Sequence, residues 1–213
     1  ACCEFMPRFE PAAAWARLAS GDITVFMAVP TIYHRLIAEW ESASIPVREA
    51  WSRGASRLRL MVSGSAALPV RTLERWREIT GHTLLERYGM TETLITLSTR
   101  ANGERRPGSV GVPIAGVETR LRGDDGEPAP HDGESIGGLE VRGPTLFDGY
   151  LNRPEATAGS TTADGWFVTG DAVTIGPDGF HRIVGRASID IIKTGGFKVG
   201  AGEVDTALLS HPS

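Results

Sequence analysis

Glu86-Arg87-Tyr88-Gly89-Met90-Thr91-Glu92 sets an aromatic ring, a glycine, a hydroxyl and a carboxylate directly behind the apolar segment Thr83 to Glu86, which reads as a strand. These are groups suited to a nucleotide. Tyr88 offers a face on which a purine stacks, and Gly89 admits close approach of backbone to ligand. The Thr91 hydroxyl can donate to a phosphate oxygen, and the Glu92 carboxylate can hold Mg²⁺. A strand end followed by a turn with a solvated glutamate would use the same residues, so the rest of the chain has to decide.

Upstream, helix and strand patterns alternate. Pro11 to Ala19 reads as a helix and Ile23 to Val29 as an apolar strand. Thr31 is placed to cap a helix carrying Ile32, Tyr33, Leu36, Ile37 and Trp40 on one side. Leu58 to Val62 is the next strand, followed by the small-residue loop Ser63-Gly64-Ser65-Ala66-Ala67. A helix from Pro69 buries Leu73, Trp76 and Ile79 and stops at Gly81. This alternation predicts parallel strands, with ligands gathered outside their carboxyl ends. Pro30-Thr31, Ser63-Gly64-Ser65 and Arg87-Tyr88-Gly89 are therefore predicted to converge on one edge. The Ser63 to Ala67 loop suits backbone amides that meet an anion or a flat ring, or equally a tight strand-to-helix connection.

From about Ser109 the pattern changes to short strands at Val117–Arg122, Leu139–Arg142, Ala172–Ile175 and Phe180–Val184, separated by Gly, Pro and Asp clusters. Gly176-Pro177-Asp178-Gly179 is predicted to turn one hairpin. A compact β-barrel or small sandwich follows from this spacing. The polar loop from Asp124 to Glu134 carries no evident chemistry, and Glu203 to Ser210 reads as the first helix of a further domain. The predicted organisation is an α/β subdomain over 1–108, a β-barrel subdomain over 109–186, and a hinge with the start of another domain over 187–213.

Composition narrows the classes. The 213 residues suffice for one large or two small domains, and neither a membrane-length apolar run nor a signal peptide is visible. A net charge of −4 argues against a nucleic-acid-binding surface. Cys2 and Cys3 are adjacent, which rules out an ordinary staple; nothing indicates an oxidising compartment or a cysteine-zinc site, and a reducing compartment fits better. Beginning at Ala1 and stopping at Ser213 just after a helix starts, the chain reads as an internal fragment. Of its 22 Lys and Arg residues, only Lys193 and Lys198 are lysine. A compact, flexible ammonium needed at that point, or chance, would explain this placement.

Two later stretches carry polar groups at turns. In Trp166-Phe167-Val168-Thr169-Gly170-Asp171, Asp171 can accept from two ribose hydroxyls or serve its own turn. Gly185-Arg186-Ala187-Ser188-Ile189-Asp190 leads into Ile191-Ile192-Lys193-Thr194-Gly195-Gly196-Phe197-Lys198-Val199, a glycine-bearing cationic loop or an interdomain linker.

Taken in order with Ser63 to Leu68, with Gly138-Leu139-Glu140-Val141-Arg142-Gly143-Pro144 and with Tyr150, these motifs resemble the adenylate-forming superfamily of acyl-CoA synthetases, peptide-synthetase adenylation domains and luciferases. The match runs from about residue 23 to the end. The wording of Val29-Pro30-Thr31-Ile32-Tyr33-His34-Arg35, Val62 to Pro69 and Glu86 to Thr93 is most similar to malonyl-CoA synthetases, mitochondrial members included.

The resemblance implies part of an α/β plus β N-terminal domain and the beginning of a small α+β C-terminal domain. It implies a two-step ligase using ATP, Mg²⁺ and coenzyme A, in which a carboxylate attacks the α-phosphate and the CoA thiol then displaces AMP. Tyr88 would stack on adenine beside Gly64, Ser65 and Ala66, Thr91 would contact the α-phosphate and Glu92 would hold Mg²⁺. Asp171 would bind the ribose and Arg186 the ribose or phosphate. Arg186, Ser188, Ile189 and Asp190 would form the hinge that brings Lys193 and the Gly195-Gly196 loop in for thioester formation. Arg35, Ser63 and Met90 would meet the acid. The second carboxylate of malonate needs a paired cation, for which the Arg35 fork is shaped, whereas an arginine on a helix surface needs no ligand. His34 is a further candidate contact.

Another small or medium acid, or a carrier protein as acceptor, would fit the same motifs. No nucleic acid, membrane span or obligate protein partner is expected, and the cytoplasm or the mitochondrial matrix is the expected compartment. The superfamily's lysine-bearing phosphate loop and C-terminal catalytic lysine are absent from these residues, so the chain alone is expected to be inactive.

Overall fold

Proline opens most of the helices, where its missing N–H has no intrahelical acceptor to lose. The computed structural model describes residues 2–194 and 197–210. In it Pro11 starts α1 (Pro11–Ala19), Pro30 starts α2 (Pro30–Ser42), and Pro46 lies in the first turn of α3 (Ile45–Ala55). The fourth helix, α4 (Val70–Thr80), follows Pro69 and ends at Gly81 in the left-handed conformation, as predicted. Thr31 is not a cap. Val29 occupies that position without a side-chain hydrogen bond, and Thr31 is exposed in the first turn of α2.

The chain divides into two units, residues 1–85 and 86–213. In the first, β1 (Val25–Ala28) and β2 (Leu60–Gly64) pair in parallel with Ala28 opposite Ser63. That register brings the loops after the two strands, Val29-Pro30 and Ser65 to Pro69, out at the same end. The core beside them is aromatic. Trp15, Tyr33 and Trp76 are fully buried, with the Trp15 ring stacked on Trp76 at 5.2 Å and on Trp51 at 5.6 Å. Tyr33 meets Trp76 edge-on at 4.9 Å. The polar ends of these side chains are satisfied: Trp15 Nε1 donates to Leu36 O at 2.8 Å and Tyr33 Oη to Val62 O at 2.8 Å. The tyrosine thus ties α2 to β2 directly before Ser63.

The second unit is built on antiparallel pairs. Its first strand, β3 (Leu85–Met90), pairs antiparallel with β4 (Leu94–Ser98), which pairs with β5 (Val112–Pro113). Parallel pairing, predicted from the alternation, holds for β1 with β2, while β4, a strand not predicted from the sequence, runs antiparallel to β3. A four-stranded meander follows in the order β6 (Glu118–Arg122), β7 (Gly137–Arg142), β8 (Phe167–Ile175), β9 (His181–Arg186). Gly176 to Gly179 turns β8 into β9 as predicted, with Gly176 N donating to Phe180 O at 2.9 Å. Both strand groups contribute to one core, in which Leu97 packs with Val117, Leu121, Leu139, Val141, Val173 and Ile175. A short helix, α5 (Pro154–Gly159), lies between β7 and β8. The hairpin β10 (Ile191–Thr194) and β11 (Phe197–Gly200) leads into α6 (Ala201–Ser210). No helix among the described residues is long and apolar enough to cross a membrane.

Candidate functional site

Asp171 is the most enclosed charged group of the predicted site, at 6% exposure. It lies within β8 and not at a turn: its neighbour Ala172 pairs with both Gly138 of β7 and Gly185 of β9. Three groups hold it. The Tyr88 hydroxyl donates a short hydrogen bond to Asp171 Oδ2, Arg186 Nε lies 3.1 Å from Oδ1, and the Asp171 N–H donates to Thr169 Oγ1 at 3.1 Å. Thr169 is itself buried, donates to Leu139 O at 2.9 Å and accepts Arg186 Nη1 on its carbonyl at 3.0 Å. Tyr88, Asp171 and Arg186, far apart in sequence, are thus brought together. Thr169, which was not singled out in the sequence, links its own strand β8 to β7 through Leu139 and to β9 through Arg186.

Burial raises the Asp171 pKa, while the Tyr88 hydrogen bond and the Arg186 charge oppose that shift and favour the carboxylate. Tyr88 is pushed well above its ordinary value by burial first and by Asp171 second, so it stays a hydroxyl donor. An ionised carboxylate offers about four lone pairs. With one taken by Tyr88 and one directed at Arg186, Asp171 keeps acceptor capacity for two further hydroxyls. Glu86, at the head of the same strand, is pushed up to about 8 by burial alone and is a neutral acid at pH 7.

The β3–β4 turn carries Thr91 and Glu92. Thr93, fully buried, pins that turn: Thr93 N donates to Met90 O at 3.2 Å, and the Thr96 hydroxyl donates to Thr93 Oγ1 at 2.8 Å. Thr91 is exposed at the tip, and Met90, the last residue of β3, is partly buried. Gly89 has a reason within the fold that was not predicted. A Cβ there would sit 1.8 Å from Leu94 O, so β4 comes close to its backbone. Glu92 Oε1 accepts the Tyr150 hydroxyl at 3.0 Å, and Oε2 has no hydrogen-bond partner among the described residues. Among those residues no three His, Cys, Asp or Glu side chains gather at one point. A Mg²⁺ that arrives with a nucleotide requires only one or two protein carboxylates, the rest of its shell being phosphate and water. The open oxygen of Glu92 meets that requirement.

Arg186 also begins the predicted hinge. Its N–H donates to Asp190 Oδ2 at 2.8 Å, and Asp190 N donates back to Arg186 O at 2.9 Å, closing a turn on which Ser188 and Ile189 are exposed. The Lys193 backbone lies in β10 opposite Lys198 of β11. Gly195 and Gly196 fall outside the described residues.

In the first unit, Ser63 and Gly64 end β2 buried, while Ser65 and Ala66 are exposed. Ser63 Oγ is buried without a hydrogen-bond partner. Ser65 adopts φ +69°, a conformation that costs a residue with a Cβ roughly 1 kcal/mol and that concentrates at ligand sites. Arg35 is exposed on α2, its guanidinium 4.7 Å from the centre of the Phe9 ring, with no ion-pair partner among the described residues. His34 beside it is exposed.

A strained loop after β2 and, in the other unit, a buried carboxylate held beside an aromatic ring are features that suit a nucleotide-binding chain. The chain belongs to the AMP-binding enzyme family, whose model matches residues 1–151. The mitochondrial malonate–CoA ligase of Homo sapiens is 46% identical over 238 residues, which cover all of this chain and 41% of that protein. A malonyl-CoA ligase solved as a ternary product complex with methylmalonyl-CoA and AMP is 50% identical with a TM-score of 0.76, over 96% of this chain and 42% of that one. ATP-bound MatB from Rhodopseudomonas palustris superposes with a TM-score of 0.85 at 38% identity, over 98% and 39%. The chain therefore spans about two fifths of the length of these relatives.

Proposed function

We propose that the complete protein is an ATP-dependent acid–CoA ligase that converts malonate, or methylmalonate, into its CoA thioester. The observation that carries this reading is the Tyr88–Asp171–Arg186 cluster, a buried carboxylate with acceptor capacity left over beside an aromatic ring. Identity to proteins named as malonate–CoA and malonyl-CoA ligases supports the choice of acid.

In this reading the Tyr88 ring stacks on adenine next to the Gly64-Ser65-Ala66 backbone, and Asp171 accepts from the ribose hydroxyls. Arg186 neutralises Asp171 and reaches the ribose or a phosphate, while Thr91 donates to the α-phosphate from the hairpin tip. Glu92 would hold Mg²⁺, which supplies charge neutralisation on the phosphates. One malonate carboxylate oxygen attacks the α-phosphorus, pyrophosphate leaves, and an acyl-adenylate remains. The thiol of CoA then attacks the acyl carbon and AMP leaves. Reactions of this type depend chiefly on positioning and charge neutralisation.

Arg35 pairs with the second carboxylate of the acid, with Ser63 and Met90 lining the remainder. Its stacking on Phe9 leaves the guanidinium edge free for a bidentate pair. The turn Arg186–Asp190, with Ser188 and Ile189 exposed in it, is the pivot, and Lys193 with Gly195 and Gly196 serves the thioester step. The organisation 1–108, 109–186 and 187–213 describes the functional parts. The compartment is the cytoplasm or the mitochondrial matrix.

Pyrophosphate release by the complete protein with ATP and Mg²⁺ tests this directly, comparing malonate, methylmalonate, acetate and a medium-chain acid. Preference for the two diacids is the expected result. Preference for a monocarboxylate would keep the adenylation chemistry and move the substrate to another small or medium acid.

A further inference from the structure

Glu92 is held by one segment of chain, 147–150, at two points. Phe147 N donates to Glu92 O at 2.8 Å, and the Tyr150 hydroxyl donates to Glu92 Oε1 at 3.0 Å. The first bond fixes the backbone of the β3–β4 turn, and the second fixes the direction of the carboxylate. The segment is itself packed on aromatic rings. Phe147 meets Tyr150 edge-on at 4.8 Å and Phe167 of β8 at 5.5 Å, so Phe147 links the tyrosine ring to the aromatic start of the strand that carries Asp171.

The other end of the segment is tied to α5. Tyr150 N donates to Thr157 Oγ1 at 2.9 Å, and that hydroxyl donates to Arg153 O at 3.1 Å. Gly149 makes this contact sterically feasible, because a Cβ there would meet both Thr157 Cγ2 and Oγ1 at 2.9 Å. A loop that merely connected two strands would not need a glycine at this approach and a threonine aimed at the next N–H.

We propose that Tyr150 is a positioning residue for metal binding: its hydroxyl occupies Glu92 Oε1 and so turns Oε2 outward as the single open oxygen for a divalent cation. The inference rests on the proposed metal role of Glu92 and adds the group that orients it. A carboxylate free to rotate presents either oxygen or both. One anchored through a partner behind it presents a fixed monodentate ligand, and losing such a partner typically lowers metal affinity about 10- to 100-fold.

The test is Tyr150→Phe in the complete protein, which removes one oxygen and keeps the ring on Phe147. Two readouts are used: the Mg²⁺ concentration that half-saturates malonate-dependent pyrophosphate release, and Mn²⁺ binding in the presence of a non-hydrolysable ATP analogue, followed by electron paramagnetic resonance. Tyr150→Phe is expected to raise the Mg²⁺ requirement and weaken Mn²⁺ binding about tenfold, with kcat at saturating Mg²⁺ kept within about twofold. Thr157→Val, which frees the segment without touching the hydroxyl, is expected to move both readouts in the same direction by a smaller factor. Glu92→Gln is measured alongside. If it weakens Mn²⁺ binding while Tyr150→Phe and Thr157→Val do not, the positioning role is overturned and the metal role of Glu92 stands. If Glu92→Gln itself leaves metal binding unchanged, the metal role fails and the inference fails with it.

Discussion

In residues 1–85 the groups proposed to meet ligand are the Gly64-Ser65-Ala66 backbone, the buried Ser63 and the exposed Arg35, all carried by a core of stacked indoles around Trp15 and Trp76. In residues 86–213 they are side chains, Tyr88, Glu92, Asp171 and Arg186, among which Glu92 and Asp171 are held by hydrogen bonds from groups distant in sequence. A site made of backbone is only as well placed as the core beneath it. One made of hydrogen-bonded side chains can lose its chemistry while the sheet persists. The first region should therefore break through stability and the second through single polar atoms.

The largest effect is expected at Trp76, fully buried between Trp15 and Tyr33. Trp76→Ala should lower unfolding free energy by about 4 kcal/mol, since cavities left by aromatic truncation are costly. Urea denaturation of the complete protein checks it, and a loss below about 1 kcal/mol would detach the first region from its aromatic core.

In the second region, buried His181 makes a contribution to stability that is lost on acidification. His181 is 2% exposed, with Nδ1 at 2.8 Å from Gly179 O and Nε2 at 2.9 Å from the Thr119 hydroxyl, and burial pushes its pKa down to about 4. The unfolded chain, with an ordinary value near 6.5, binds the proton first. The contribution is therefore complete above pH 6.5 and is lost as pH falls towards 4, by about 3 kcal/mol in total. Stability measured against pH should show this decline, and His181→Asn should flatten it. An unchanged slope in the variant would assign the acid sensitivity to carboxylates instead.

Arg35 sharpens the contrast from the other side, as the charged side chain proposed to meet ligand in the indole-built region. Arg35→Leu should reduce kcat/KM for malonate at least tenfold, the loss of about 1.5 kcal/mol expected for a charged hydrogen bond, and leave acetate nearly unaffected. Equal losses for both acids would make Arg35 a packing partner of Phe9 and nothing more.

How much of this was legible in the sequence differs between the regions. In the first, Pro11 and the apolar spacing after it marked α1 to the residue, and Gly81 marked the end of α4. The helix α3 passed unread because its apolar stripe is short, Val47, Trp51 and Ala55, and only Gly54 and Ala55 are fully buried. In the second, the residues of the cluster were recognisable as motifs, but their setting was not. Leu94 to Ser98 was missed as a strand, so β3 was cut short at Glu86 and the approach of β4 to Gly89 was not foreseen. Asp171 read as a turn residue because Gly170 precedes it, whereas the glycine sits inside β8. Tyr150 and Glu92 are 58 residues apart, and no local pattern reports a bond formed only when two hairpins meet.

The central claim is that Asp171, closed in by Tyr88 and Arg186, is the nucleotide anchor, and calorimetric titration of ATP into the complete protein tests it most directly. Asp171→Asn keeps the shape of the side chain and removes its charge and half of its acceptor capacity. The account predicts ATP affinity at least tenfold weaker in the variant, from the loss of charge-assisted hydrogen bonds worth about 1.5–3 kcal/mol, with the unfolding midpoint of the unliganded protein shifted only slightly. Unchanged ATP affinity in a folded Asp171→Asn protein would contradict it and return the cluster to a purely structural tie between β3, β8 and β9.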